Sequence, residues 1–287
     1  MTCDDEQVDS QFLPELAGTN EFNTKGSPYS LRVSGLRQVL HDSVTGDRFE
    51  LHVERDLIIP RGSFVAIHGP SGCGKTTLLT VIGLLRCCTP DSELQRFEMW
   101  FRHSDRPLDL RDIWKEGRQR QAMRIRRRHL GFALQTGELI SSLNVAENIA
   151  TPLQINGESR RACRNRVLTL LDAFGISGLE NRRLKNLSLG QYQRVALARA
   201  IAHDPELIFV DEPTASLNRE TARAALQELK VLTEGHSTVM MITHEEDLAR
   251  EFCDLIIELE PVSGHPAGRV KSFFRNPAPR RIDDGRH

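Results

Sequence analysis

Residues Gly69, Pro70, Ser71, Gly72, Cys73, Gly74, Lys75, Thr76 and Thr77 follow the form G-x-x-x-x-G-K-[ST], which has a mechanical meaning when it joins a strand to a helix. Residues 64–67 before it (Phe, Val, Ala, Ile) are apolar and partly β-branched, which predicts a buried strand. Residues 77–85 after it read as a helix. Glycines let backbone N–H groups turn inward around phosphate oxygens, and the helix N-terminus adds partial positive charge. In such a loop Lys75 reaches the β- and γ-phosphates of a nucleoside triphosphate, and the Thr76 hydroxyl ligates Mg²⁺. A Gly-rich turn that binds nothing is the competing explanation, and the matched strand, loop and helix argue against it.

Further carboxylates and a histidine sit where open α/β sheets bind ligands, at the carboxyl ends of strands. The apolar run 207–210 delivers Asp211 and Glu212, and the run 239–243 delivers His244. Residues 129–134 read as another buried strand ending at Gln135. Ser188 and Gln191 have the S-x-x-Q spacing of a capping box, which ties off the first free N–H groups of a helix over 189–200.

The elements that must position these groups follow from pattern. From Leu31 the chain turns β-like; 48–53 alternates apolar and polar residues, and 57–59 leads to a turn at Pro60, Arg61 and Gly62. An antiparallel sheet beside a nucleotide-binding core is expected there. Residues 87–112 carry prolines and many charges and read as surface with one strand near 97–100. Residues 115–129 are basic, with Arg124, Arg126, Arg127, Arg128 and His129; a solvated helix face is the preferred reading and contact with anionic lipid headgroups the sharper one. Residues 138–180 look helical, with helical apolar spacing over 162–174 stopping at Gly175. The block 138–186 therefore reads as a helical subdomain inserted into the α/β core.

Composition narrows the classes. The 287 residues carry 38 Lys and Arg against 39 Asp and Glu, so a general polyanion binder is disfavoured and no nucleic-acid partner is expected. No run is long and apolar enough to cross a bilayer, and the acidic start lacks the pattern of a secretory signal. The six cysteines show no C-x-x-C spacing, which suggests reduced thiols and a cytoplasmic protein. Residues 1–28 read as a disordered acidic tail, 29–261 as the ATPase domain implied by the motifs, and 262–287 as a flexible basic tail.

The phosphate loop, Gln135, residues 187–194, Asp211 with Glu212, and His244, in that order, resemble the ATPase subunit of ABC transporters. The resemblance spans roughly residues 31–260. It implies an α/β fold with a P-loop NTPase (RecA-like) core, an antiparallel β subdomain and an inserted helical subdomain. By the same resemblance Asp211 is similar to the Walker-B aspartate of the Mg²⁺ shell. Glu212 resembles the general base, Gln135 the Q-loop residue that senses Mg²⁺ and the membrane partner, and His244 the switch histidine at the γ-phosphate. Ser188, Gly190 and Gln191 belong to the signature that closes over ATP held by a second ATPase subunit. The active unit implied is a head-to-tail pair that drives a separate integral-membrane permease from the inner face of the membrane, with ATP and Mg²⁺ as cofactors. Residues 126–132 and 144–153 look like the lipoprotein-release and macrolide-export branch.

The pattern departs from the family at three places. Leu189 replaces the glycine usual after the signature serine, where a positive φ would be costly for leucine and the side chain would crowd the facing nucleotide. Asn218 stands where an aspartate is usual; it still caps the helix that follows but removes a charge at the subunit joint. Phe49 and His41 are both candidates for the adenine-stacking position. Alternatives from other classes are a regulatory ABC module with low turnover and a non-transport ABC ATPase.

Overall fold

Strands covered on both faces need apolar side chains at every position, and the runs ending at Ile67, Asp211 and Ile242 have that character. The computed structural model describes residues 27–41, 47–87, 89, 91–102, 104, 106–115, 118–134, 139–214 and 217–276. The acidic N-terminal stretch up to residue 26 lies outside the described residues. In chain order the elements are β1 (Tyr29–Ser34), β2 (Leu36–His41), β3 (Arg48–Val53), β4 (Leu57–Pro60), β5 (Phe64–His68), α1 (Lys75–Ile82), β6 (Arg96–Met99) and β7 (Leu108–Asp109). Next come α2 (Arg111–Lys115), α3 (Gln119–His129), β8 (Leu130–Ala133), α4 (Val145–Ile155), α5 (Arg160–Ala173) and α6 (Leu189–Ile201). The chain continues through β9 (Leu207–Asp211), α7 (Arg219–Thr233), β10 (Thr238–Ile242), α8 (Glu246–Phe252), β11 (Leu255–Pro261) and β12 (Ala267–Arg275).

The large sheet has the order β2-β3-β12-β11-β5-β10-β9-β8. Its centre, from β11 through β5, β10 and β9 to β8, is parallel. A second sheet, β4-β1-β6-β7, is antiparallel throughout. Alternation along the central strands feeds two cores. Ala66, Ile208, Val210 and Met241 pack with the helices α4 to α8, through residues such as Val145, Leu170, Val195 and Leu226. Val65, Ile67, Phe209 and Met240 pack with α1 and the small sheet, through Leu79, Leu31 and Phe97.

Local chemistry fixes the helices. Asn144 and Glu147 close a capping box on α4, and Ser188 and Gln191 close one on α6. Arg166 of α5 donates from Nε to the Ala202 carbonyl and from Nη2 to that of Ile201, both at 3.2 Å. These carbonyls lie at the C-terminal end of α6, where a cation is favoured. Arg166 thus ties α5 to the helix that carries the signature.

Two sequence expectations change. The alternating strand 48–53 lies in the large sheet between β2 and β12, whereas β1 and the strand 57–60 enter the small antiparallel sheet. The flexible tail expected from residue 262 does not begin there: 267–275 form β12, paired antiparallel with β11 and parallel with β3. Its alternation of exposed Arg269, Lys271, Phe273 and Arg275 with more covered neighbours is that of a half-buried strand, and the outward basic residues gave it a tail-like composition.

β12 also touches the phosphate loop. A Cβ on Gly268 would lie 1.9 Å from the Cys73 carbonyl oxygen, and one on Gly69 would lie 2.4 Å from that of Leu259 in β11. The β11–β12 hairpin therefore braces the loop by backbone contact that only glycine permits. Gly268→Ala is predicted to lower stability by about 1–3 kcal/mol, as overpacking does, and to weaken nucleotide affinity. Denaturant unfolding and nucleotide titration check this; wild-type values in both would contradict the bracing.

Candidate functional site

Parallel pairing brings three strand ends to one level. Ile242 of β10 lies opposite Ile67 of β5 on one side and Asp211 of β9 on the other. The ladder runs one residue further, with Glu212 N–H donating to the Ile242 carbonyl at 3.0 Å and Thr243 N–H to that of Ile67 at 3.3 Å. The phosphate loop, the carboxylate pair and His244 thus leave the sheet side by side.

The loop enters α1 through Gly74 at φ 95°, and Gly72 stands at φ 79°. Both conformations favour glycine. Lys75 is buried, and its Nζ donates to the carbonyls of Gly69 at 2.9 Å and Pro70 at 2.8 Å, which holds the ammonium inside the curve of the loop. Burial pushes the Cys73 thiol pKa up and the side chain is enclosed, so Cys73 serves packing and is not a nucleophile.

Thr76 Oγ1 donates to Asp211 Oδ2 at 3.3 Å. Asp211 is buried; burial pushes its pKa up, the neighbouring Glu212 charge pushes it further, and Thr76, Lys75 and His244 only partly offset this. Glu212 adopts φ 50°, a strained left-handed conformation for a residue with a side chain. Its Oε1 lies 2.9 Å from His244 Nε2. The two loops meet again one step on: Thr214 Oγ1 donates to Glu245 Oε1 at 2.9 Å, while Glu245 N–H donates to Thr243 Oγ1 at 3.1 Å. Nothing in the sequence pattern pointed to Thr214 or Glu245; their signal was position beside Glu212 and His244.

A hydroxyl and a buried carboxylate beside a second carboxylate form a hard-oxygen set suited to Mg²⁺. A cation there would relieve the very repulsion that raises the Asp211 pKa. With Lys75 and the glycine-lined loop adjacent, these residues fit a magnesium nucleotide. Gln135 lies outside the described residues.

The signature residues stand elsewhere. Ser188 Oγ accepts from Gln191 N–H at 3.2 Å, and Ser188 N–H donates to Gln191 Oε1 at 3.0 Å. A Cβ on Gly190 would meet Leu217 Cδ2 at 2.7 Å, so this glycine lets the loop after Glu212 lie against α6. Leu189 is not among the residues with positive φ; it begins α6 with helical geometry and is 62% exposed. The anticipated backbone cost at Leu189 is therefore absent, because the first helical turn needs no left-handed residue. Asn218 Oδ1 accepts from Thr221 N–H at 2.8 Å and caps α7. Of the two adenine candidates, Phe49 packs at the loop, with its ring 3.2 Å from where a Cβ on Gly74 would stand. His41 Nε2 lies 3.3 Å from Asp91 Oδ2 at the surface.

Comparison with known proteins agrees with this layout. A family model described as ABC transporter matches residues 54–215. The chain is 35% identical over 240 residues to the lipoprotein-releasing system ATP-binding protein LolD 1 of Rhodopseudomonas palustris, covering 83% of this chain and 98% of that one. An uncharacterized ABC transporter ATP-binding protein of Methanocaldococcus jannaschii is 35% identical over 210 residues, covering 71% and 84%. A dimeric structure of the ATP-binding cassette MJ0796, in a post-hydrolysis state bound to ADP and Pi, matches with a TM-score of 0.70 at 30% identity, covering 86% of this chain and 99% of that chain.

The raised Asp211 pKa has a definite sign. The ionised carboxylate is disfavoured in the folded state, so the protein is more stable with Asp211 protonated, and this advantage is lost as pH rises through the raised pKa. Asp211→Asn is predicted to raise the unfolding midpoint of the nucleotide-free protein at neutral pH and to abolish its stabilisation by Mg²⁺ with nucleotide. Thermal unfolding with and without Mg²⁺ and nucleotide checks both; a lower midpoint for the nucleotide-free variant would show that Asp211 is a net structural asset.

Proposed function

Because the chain belongs to the ABC transporter family, as one of its ATP-binding and ATP-hydrolysing subunits, we propose that the row of groups at the ends of β5, β9 and β10 is the hydrolytic centre. The observation that carries this is the convergence of Lys75, Thr76, Asp211, Glu212 and His244 through one hydrogen-bonded register. Backbone N–H groups of residues 71–77 and the Lys75 ammonium bind the phosphates. Thr76 and Asp211, with Gln135, would hold Mg²⁺, which when bound supplies positive charge against the phosphate oxygens. Glu212 Oε1 takes a proton from the attacking water as its oxygen bonds to the terminal phosphorus and the bond to the ADP oxygen breaks. His244, with Nε2 2.9 Å from Glu212 Oε1, orients that carboxylate beside the terminal phosphate.

Ser188 and Gln191 bond to each other, Gly190 lies against Leu217 and its carbonyl accepts from Arg194 Nε at 3.4 Å, and the neighbouring Leu189 is exposed. This supports a head-to-tail pair in which they complete the site of a second subunit; the similar cassette MJ0796 is dimeric. Unstrained Leu189 removes one ground for a low-turnover regulatory module.

Among the described residues no helix is long and apolar enough to cross a membrane. Family membership supports closure acting on a separate permease. A groove of about 550 Å³ between α3, β8, α4 and α6 is suited to it, with Leu85, Met123, Phe132 and Ile155 as apolar lining and Arg124 and Arg127 among its charges. Docking there would hold the subunit on the inner face of the membrane.

Glu212→Gln is predicted to bind Mg·ATP as wild type does while turnover falls about 10²–10⁴-fold, the usual contribution of a general base. Steady-state phosphate release together with nucleotide binding checks it. Turnover close to wild type would place the base elsewhere.

A further inference from the structure

The helix α3 holds more positive charge than the hydrolytic site or the groove uses. Its eleven residues include five arginines and no acid. Ala122 and Ile125 face the core, and Arg126 is occupied, its Nη1 donating to the Leu84 carbonyl. Arg120, Arg124, Arg127 and Arg128 are exposed. Spacings of four and three residues place Arg120, Arg124 and Arg127 in one stripe, with Arg128 beside it. Among the described residues none of these four has an ion-pair partner. The helix dipole accounts for basic residues in the last turn but not for Arg120, which stands near the N-terminus, where positive charge is unfavourable. Like charges along one stripe also repel. The stripe costs the helix stability, and an anionic surface would offset that cost.

We propose that the arginine stripe of α3 binds the anionic headgroups of a lipid bilayer. Arg124 and Arg127 border the groove, whereas Arg120 and Arg128 stand outside its lining, so the stripe extends beyond what a segment seated in the groove would cover. An exposed, convex helix face suits a flat surface. Met123, 57% exposed where the stripe borders the groove, supplies an apolar contact at the headgroup boundary. Nucleic acid is the less suitable polyanion for a chain of net charge −1. The proposal leans on the permease reading only for which side of the molecule faces the membrane.

The test uses the full chain and protein-free vesicles, so it does not depend on that reading. Flotation is measured with phosphatidylcholine vesicles and with vesicles of equimolar phosphatidylcholine and phosphatidylglycerol, at low and high salt. Binding to the anionic vesicles alone is expected, to be released by salt, and to fall roughly fivefold for each of Arg120→Gln and Arg128→Gln. Basal ATP hydrolysis is expected to be unchanged in both variants. Equal partition into both vesicle types, or variants that bind as wild type does, would overturn the proposal. Absent vesicle binding, with Arg120→Gln and Arg128→Gln each reducing co-purification of a membrane protein, would assign the stripe to an acidic permease segment and overturn it as well.

Discussion

The register of three parallel strands is the constraint on which the rest depends. Ile67, Ile242 and Asp211 lie abreast, and the site hangs from that row: Gly69 two residues past Ile67, Glu212 one past Asp211, His244 two past Ile242. In a half-exposed sheet, a one-residue slip would be opposed by exposing apolar side chains. These strands are buried on both faces, so that safeguard is weak. The register of β9 against β10 is secured at its ends instead, by Thr238 N–H to the Glu206 carbonyl at 2.8 Å and Glu212 N–H to the Ile242 carbonyl at 3.0 Å. The second of these bonds also fixes the backbone of the proposed base.

The site is assembled against local preference. Asp211 is an acid in a buried place beside another acid, and Glu212 takes a conformation that costs on the order of 1–3 kcal/mol. Two cores, one on each face of the sheet, hold these groups in place. The phosphate loop is held from outside as well, by a hairpin that contributes no functional side chain and approaches through Gly69 and Gly268. At Asp211 burial and the Glu212 charge disfavour the ionised form, the form that the proposed Mg²⁺ site requires.

Much of this was legible in the sequence because the signals were local. A strand, a glycine-rich loop and a helix in succession carry their own meaning, as do acids at the end of an apolar run. What was not legible was non-local. Residues 267–275 look like a basic tail until β11 and β3 are placed on either side of them. The assignment of 48–53 to the large sheet depends on the same neighbours. Leu189 looked costly because a family pattern has glycine there, whereas the helix geometry at that position accepts any side chain. Gly268, Thr214 and Glu245 have partners far away or one loop over, and no periodicity marks them.

The central claim is that one chain holds only part of each hydrolytic site, with Ser188 and Gly190 serving the nucleotide of a second subunit. The most direct measurement is the solution mass of the Glu212→Gln protein with and without Mg·ATP, in which slowed turnover would preserve the closed state. The account predicts a monomer without nucleotide and a dimer with it, and reversion to monomer when Ser188 is replaced by a bulky residue. A protein that stays monomeric at saturating Mg·ATP would contradict it.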